Sequence, residues 1–254
     1  VPEREIVARL RAAGCVFAED EARLLIGAAP DPERLAELVA ERVRGVPLEQ
    51  VVGWAEFCGL RVAIGPGVFV PRHRTELLVR LAAAAIRADQ VLVDLACGSG
   101  AIAAAVADRV PGLSVHAADI EPAAVEVARR NLAPIGGHVY RGDLFEPLPQ
   151  TLRGRVDVLV ANVPYVPSGA VGLLPPEARD YEPLRALDGG ADGLDVLRRV
   201  AAGAPGWLRP GGTLLSEIGV DQIDSAKAAL SAAGLAPEVV SDDELDATVI
   251  LGRG

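Results

Sequence analysis

From residue 91 onward, short apolar runs alternate with segments whose apolar residues recur every three to four positions. Val91–Leu95 and Val156–Ala161 are such runs, as are residues 113–119, 138–140 and 213–217, while 99–109 and 121–132 carry the helical period. A helix over about 193–207 precedes the turn Arg209-Pro210-Gly211-Gly212, another covers about 221–233, and strands near 236–241 and 247–252 finish the chain. Strands separated by helices of this length predict a mostly parallel sheet covered on both faces. The two closing strands have little between them and predict an antiparallel hairpin at one edge. Sheets of this kind bind ligands outside the carboxyl ends of their strands.

Upstream the pattern differs. Residues 3–44 read as short amphipathic helices, with Ile6, Leu10 and Leu24-Leu25 on one period and Asp31-Pro32 starting a third helix that carries Leu35, Leu38 and Val39. Gly45 and Pro47 close this unit. Residues 51–70 are strand-like, with Trp54 to Phe57, then Gly59, then Leu60 to Ile64 forming a hairpin. Pro66, Gly67 and Pro71 bracket Val68-Phe69-Val70, and a helix begins around Thr75. The expected division is a helical unit over 1–45, a hairpin and lid linker over 46–73, and a large α/β domain over 74–254.

Composition narrows the chemistry. Only 4% of the residues are aromatic while half are apolar, so Ala, Val and Leu must build the core. The net charge of −10 works against a nucleic-acid substrate, because phosphate backbones are held mainly by Lys and Arg. Cys15, Cys58 and Cys97 lie far apart, as do His73, His116 and His138, so neither a disulfide framework nor a metal centre is expected. The chain shows no signal peptide and no apolar span of transmembrane length, so a cytoplasmic location and no membrane partner are expected.

The first parallel strand empties into Asp94-Leu95-Ala96-Cys97-Gly98-Ser99-Gly100. Gly98 and Gly100 let a ligand approach the turn and the helix that follows. Ala103 stands where a dinucleotide fingerprint has its third Gly, and Asp94 would repel a pyrophosphate. A carboxylate there suits instead the amino-acid end of S-adenosylmethionine (SAM). Asp119 closes the second strand, where an acidic group can hold a ribose diol. Asp143 follows the third and can accept from an adenine amino group, with Ile120 and Leu144 on either face of the ring. Each carboxylate alone is as readily a cap or turn former. Three at successive strand ends predict a class I SAM-dependent methyltransferase: a Rossmann-like, seven-stranded, mostly parallel sheet with an antiparallel edge strand, plus the helical unit and hairpin. Ala96, Cys97 and Ser99 complete the expected cofactor loop.

The fourth strand ends in Asn162-Val163-Pro164-Tyr165. An Asn, a rigid Pro and an aromatic in this place can hold a planar amino group, and Asn162 would also border the cofactor. This tetrapeptide resembles the N/D-P-P-Y signature of N-methyltransferases, shared by nucleic-acid amino-methyltransferases and by the protein glutamine-N5 methyltransferases of the HemK type. Three further stretches are similar to the second group. Pro47-Leu48 through Gly53, Glu56-Phe57 and Gly59-Leu60 is one; Pro71-Arg72-His73-Arg74-Thr75-Glu76 is another. The third is the Gly-rich block 187–195, followed by Pro210-Gly211-Gly212 and Glu217-Ile218-Gly219. The chain departs from the family at Val163, where Pro is usual, at His73-Arg74, where Pro-Glu is usual, and in a shorter helical unit. These departures suggest a paralogous branch.

The resemblance implies transfer of the SAM methyl group to the side-chain amide nitrogen (N5) of a glutamine in a protein, either a translation release factor or another, with S-adenosylhomocysteine as product. Asn162 and the Val163 carbonyl would accept the two amide hydrogens, Pro164 would stiffen the loop, and Tyr165 would pack on the amide plane. A small-molecule or nucleic-acid amino-methyltransferase remains an alternative, as does a SAM-binding paralogue without catalysis. Arg72, Glu76, Asp192 and Asp195 are expected to hold structure, and His73 to face solvent.

Overall fold

The computed structural model describes residues 2–254. The chain opens with helices α1 (Glu3–Ala12), α2 (Ala18–Ala28) and α3 (Pro32–Val43), and α4 (Leu48–Val52) follows after Gly45. Asp31 caps α3 by accepting from the Arg34 N–H at 2.8 Å, with Pro32 preset for the first turn. Ile6, Leu10, Ala22, Leu25, Leu38 and Val39 form a small core of their own, and Val51 of α4 belongs to it. The helical unit therefore runs past the expected boundary at residue 45, because its three helices need α4 to cover the last apolar face.

The hairpin β1 (Trp54–Phe57) and β2 (Leu60–Ala63) forms where expected, with Trp54 opposite Ala63. It is not a free linker. Ala55, Phe57, Val62 and Ile64 are buried in the main core. After a turn at Pro66-Gly67, residues 68–72 run without sheet pairing, which the strand-like reading of 51–70 did not anticipate.

The main sheet contains β3 (Val91–Leu95), β4 (Ser114–Asp119), β5 (His138–Arg141), β6 (Val156–Ala161), β7 (Leu208–Glu217), β8 (Ala236–Asp242) and β9 (Ala247–Arg253), in the order β5-β4-β3-β6-β7-β9-β8. The first five are parallel, and β9 runs antiparallel to both β7 and β8. The reversed strand thus lies one place in from the edge, inside the hairpin expected there. Helices α5 (Glu76–Ala85), α6 (Ala101–Arg109) and α7 (Pro122–Leu132) cover one face, and α9 (Asp195–Gly203) and α10 (Ile223–Ala232) the other; α8 (Pro176–Tyr181) lies outside the sheet.

Pleating sorts the side chains. Leu92, Val158, Val160 and Leu215 pack toward α5 and α6, while Val93, Leu159, Ala161 and Leu214 pack toward α9 and α10. Arg209-Pro210-Gly211-Gly212 proves to lie within β7. It is a bulge: Val156 pairs with Leu208 but Val158 with Thr213. No helix among the described residues is long and apolar enough to cross a membrane.

Residues 166–187, for which the apolar pattern predicts no element, form a strap of short turns around α8 that joins the units. Arg42 is buried, pairs with Glu21 at 2.6 Å, and reaches Glu177 on the strap at 2.7 Å. The Tyr181 hydroxyl donates to the Arg44 carbonyl at 2.6 Å, and Glu182 accepts from both Arg72 at 2.6 Å and the Val70 N–H at 3.1 Å. Removing one partner of a buried pair strands the other. Arg42→Ala is therefore expected to destabilise the helical unit by roughly 3–5 kcal/mol. Limited proteolysis should show faster cleavage in both the helical unit and the strap; cleavage unchanged in the strap would show that Arg42 does not tie the two together.

Candidate active site

The order β4-β3-β6 places the topological switch at β3, where the chain leaves toward opposite sides of the sheet. A cavity of about 670 Å³ opens there, above the carboxyl ends of β3, β4 and β6. Its floor is Ala96 to Ser99, with Asp119 and Ile120 on one side and Asn162 to Val166 on the other. Phe69, Pro71, Arg72, Arg74 and Thr75, with the strap residues Leu174, Pro175, Glu177 and Ala178, form further walls.

Asp94 stands beneath the floor, fully buried on the α6 side of the sheet. One carboxylate oxygen accepts from the Ala103 N–H at 3.3 Å, and Oδ1 has no hydrogen-bond partner. Burial pushes its pKa up to about 8, with Ala103 opposing and the Asp119 charge adding to the rise. Gly100 caps α6 at φ 74°, a conformation that favours glycine; a Cβ there would also press on Ala128 and Leu132 at 3.3 Å. Asp94 and Gly100 thus shape the floor from below rather than lining it.

Asp119 ties the next loop in. Its two oxygens accept from the Gly98 N–H at 2.8 Å and the Glu121 N–H at 2.9 Å. Burial raises its pKa against these two donors. Each oxygen keeps a lone pair, so the carboxylate can still receive a diol. Cys97 is buried beside it with its thiol pushed up by that burial, so it is no nucleophile here.

Asp143 and Leu144 depart from expectation. Neither lines the cavity. The Asp143 carboxylate is bound instead by Arg199 of α9 at 2.6 Å, a partner 56 positions away that local spacing could not reveal.

The Asn162-Val163-Pro164-Tyr165 loop is fixed from three sides. Ser216 donates to the Ala161 carbonyl at 2.6 Å just before it, and Gln222 donates to the Tyr165 carbonyl at 2.8 Å just after. The Gly-rich block packs under it, with the Gly189 N–H donating to the Val166 carbonyl at 2.8 Å. A Cβ on Gly193, at φ 80°, would lie 2.2 Å from the Tyr165 carbonyl oxygen. The glycines of that block therefore serve close backbone approach, as Asp192 serves the α9 start by accepting from the Leu194 N–H at 3.1 Å. Within this frame Asn162 Oδ1 is buried and unpartnered. Val163 is buried in the core on the α9 side.

Several residues of the site have partners that the sequence motifs do not reveal. Glu217 ends β7 and accepts from the Tyr165 hydroxyl at 2.7 Å, the Thr75 hydroxyl at 2.7 Å and Arg74 Nε at 3.0 Å. The Arg74 guanidinium also lies 5.7 Å from the centre of the Tyr165 ring. Arg72 pairs with Glu182, and His73 faces solvent beside Glu76, as the sequence suggested for these positions. The basic residue at position 74 thus has a structural partner in Glu217, an acidic residue of the motif that sequence similarity identified only as part of a strand.

Comparison with known proteins bears on this arrangement. Residues 60–173 match the family model described as methyltransferase small domain. The chain is 40% identical over 209 residues to the release factor glutamine methyltransferase of Geobacter sulfurreducens, covering 80% of this chain and 72% of that one. It is 39% identical over 257 residues to the protein of the same name from Moorella thermoacetica, covering 91% and 88%. Among solved structures, a methyltransferase from Pyrococcus furiosus superposes with a TM-score of 0.59 at 16% identity, over 84% of this chain and 98% of that one, and so shares its fold.

Asp94 gives a test independent of any ligand. In the unfolded chain its pKa is near the usual 3.8, whereas the folded carboxyl holds its proton up to about 8. The folded state binds the extra proton between those values, so this group's contribution to stability falls as pH rises through that window. Asp94→Asn is expected to stabilise the fold by roughly 1–3 kcal/mol at pH 8 and by little at pH 4. Denaturant titration at both pH values checks this; an equal effect at both would contradict the assignment.

Proposed function

The chain belongs to the release factor glutamine methyltransferase family, and on that footing we propose that it methylates the N5 side-chain nitrogen of a glutamine in a translation release factor, with S-adenosylmethionine as donor. The observation that carries this reading is the pair of buried, unpartnered acceptors, Asp94 Oδ1 beneath the cavity floor and Asn162 Oδ1 in the loop that lines its wall. Buried polar atoms are nearly always paired. Two orphans on adjacent parallel strands fit two ligands, each bringing N–H donors.

The residues fit the donor. Asp94 would take its ammonium group, Asp119 its ribose diol, and Ile120 one face of its adenine, with the Ala96 to Ser99 backbone wrapped against the amino-acid end. Asp143 and Leu144 remain adenine contacts in this reading only if Arg199 yields part of the carboxylate. When bound, SAM supplies a methyl group on a positively charged sulfur, which makes that methyl electrophilic.

The chain's own contribution is positioning. A glutamine amide nitrogen is a poor nucleophile because its lone pair is shared with the carbonyl. Asn162 Oδ1 and the Val163 carbonyl, which carries no hydrogen bond among the described residues, would accept the two amide hydrogens. This orients the nitrogen toward the methyl and draws electron density onto it. Pro164 keeps Val163 extended, so its carbonyl stays in place. Tyr165 covers the amide plane. The nitrogen's pair forms the new N–C bond, the S–C bond breaks with its pair left on sulfur, and the nitrogen then loses one proton to water. No side chain needs to act as base beforehand. The release factor as substrate is supported by the names of relatives aligned over most of this chain, despite the departures at Val163 and Arg74.

Incubation with SAM and a release factor is expected to add one methyl to a single glutamine, located by peptide mass spectrometry. Label found only in nucleic acid or small metabolites would overturn the reading. Asn162→Ala should lower transfer by at least about 100-fold, the scale of a lost transition-state hydrogen bond, while calorimetry shows cofactor binding largely retained. Below pH 8 cofactor binding should also release a proton, since the Asp94 carboxyl must ionise to receive an ammonium group. Binding heats in two buffers of different ionisation enthalpy measure that release, and identical heats would remove Asp94 from the ammonium site.

A further inference from the structure

Glu217 lies at the end of β7 with its side chain almost fully out of solvent, and three donors converge on it. Two come from the segment before α5, Arg74 and Thr75. The third is the hydroxyl of Tyr165, the residue assigned above to the amide plane. From this convergence, and resting on the proposed glutamine methylation, we infer that Glu217 is a positioning residue for methyl transfer, acting through the Tyr165 ring.

Tyr165 and Asn162 are three residues apart on one loop and line the same cavity. The loop leaves Asn162 Oδ1 buried and unpartnered. A Tyr165 ring free to swing would not present the same face to an amide held at that oxygen. Glu217 holds the hydroxyl in place at 2.7 Å. A hydrogen bond to a charged acceptor is stronger than one to a neutral amide oxygen, so the phenol stays on the carboxylate. The ring then stays set beside Asn162 when the amide of the substrate arrives.

Arg74 completes the arrangement. Its Nε donates to Glu217 at 3.0 Å, and its guanidinium lies over the Tyr165 ring. It supplies the cation that a carboxylate in this buried position requires. It also covers one face of the ring, leaving the opposite face to meet the amide. Thr75 fixes the second carboxylate oxygen at 2.7 Å, so the rotation of Glu217 is fixed as well. The segment before α5 is thereby coupled to the orientation of Tyr165, although it touches neither cofactor loop through these bonds.

The test uses the full chain with SAM and a release factor, after wild-type transfer to glutamine has been established; without that transfer it is the proposed function that fails. Glu217→Gln keeps the shape and removes the charged acceptor, and Tyr165→Phe keeps the ring and removes only the hydroxyl. Each is expected to lower kcat roughly 10- to 100-fold, the range for one hydrogen bond to a charged group. KM for SAM and the calorimetric SAM affinity should stay within about twofold, a change of well under 1 kcal/mol. The double variant should be no slower than the slower single variant, because both remove the same contact. Wild-type kcat in Tyr165→Phe, multiplicative losses in the double variant, or a loss of SAM affinity matching the loss of kcat would each overturn the inference. Should Glu217→Gln fail to fold, Tyr165→Phe with its kcat-against-KM split still decides.

Discussion

The molecule is organised around two oxygens that the fold leaves unsatisfied. Asp94 Oδ1 and Asn162 Oδ1 are buried at the ends of neighbouring parallel strands with no partner. Each orphan costs stability, and a mobile loop would relieve that cost by turning the side chain elsewhere. The surrounding structure prevents this. Asp94 is held through Ala103 at the start of α6, and the Asn162 loop is held by Ser216, Gln222 and the close glycines of residues 189–193. The strain is local, and the packing that sustains it is spread across both faces of the sheet.

A second layer of polar contacts holds the cavity's roof. The strap that roofs the cavity buries almost nothing: α8 has no buried residue. It is held by Glu177 and Tyr181, which reach the end of α3, and by Glu182, which reaches the segment before α5. Glu182 lies deep, and burial raises its pKa against the pull of Arg72. The helical unit and the lid segment are thus mechanically joined through the strap, and a protein substrate approaching the cavity meets all three together.

The sequence and the structure agree where burial is periodic and diverge where it is not. The strands β3, β4 and β6 are read from apolar runs because parallel strands are covered on both faces. Asp94, Asp119 and the Asn162 loop are read because they sit at the ends of those runs. The strap has no such pattern, since polar anchors rather than an apolar face hold it. Glu217 and Gln222 are single polar residues at element ends, and their partners lie 52 and 57 positions earlier. Asp143 was grouped with Asp94 and Asp119 by position alone, and only the placement of α9 brings Arg199 to it. The boundary at residue 45 failed for a related reason: α4 is too short for its period to register, yet Val51 completes the helical core.

Position 163 joins these strands of the argument. The family signature places Pro there, and the structure puts Val163 at 2% exposure in the core on the α9 side. Its side chain therefore fills apolar volume, which Val supplies. Its backbone is constrained from the other direction, because Pro164 disfavours a helical conformation at the residue before it. A β-branched residue stiffens further what a second proline ring would have fixed. What the site needs from position 163 is a carbonyl pointed at the cavity, and that group is common to both residues. In the proposed reading the departure at 163 alters the wall behind the loop and keeps that carbonyl, and Arg74 with Glu217 shows the same division at position 74.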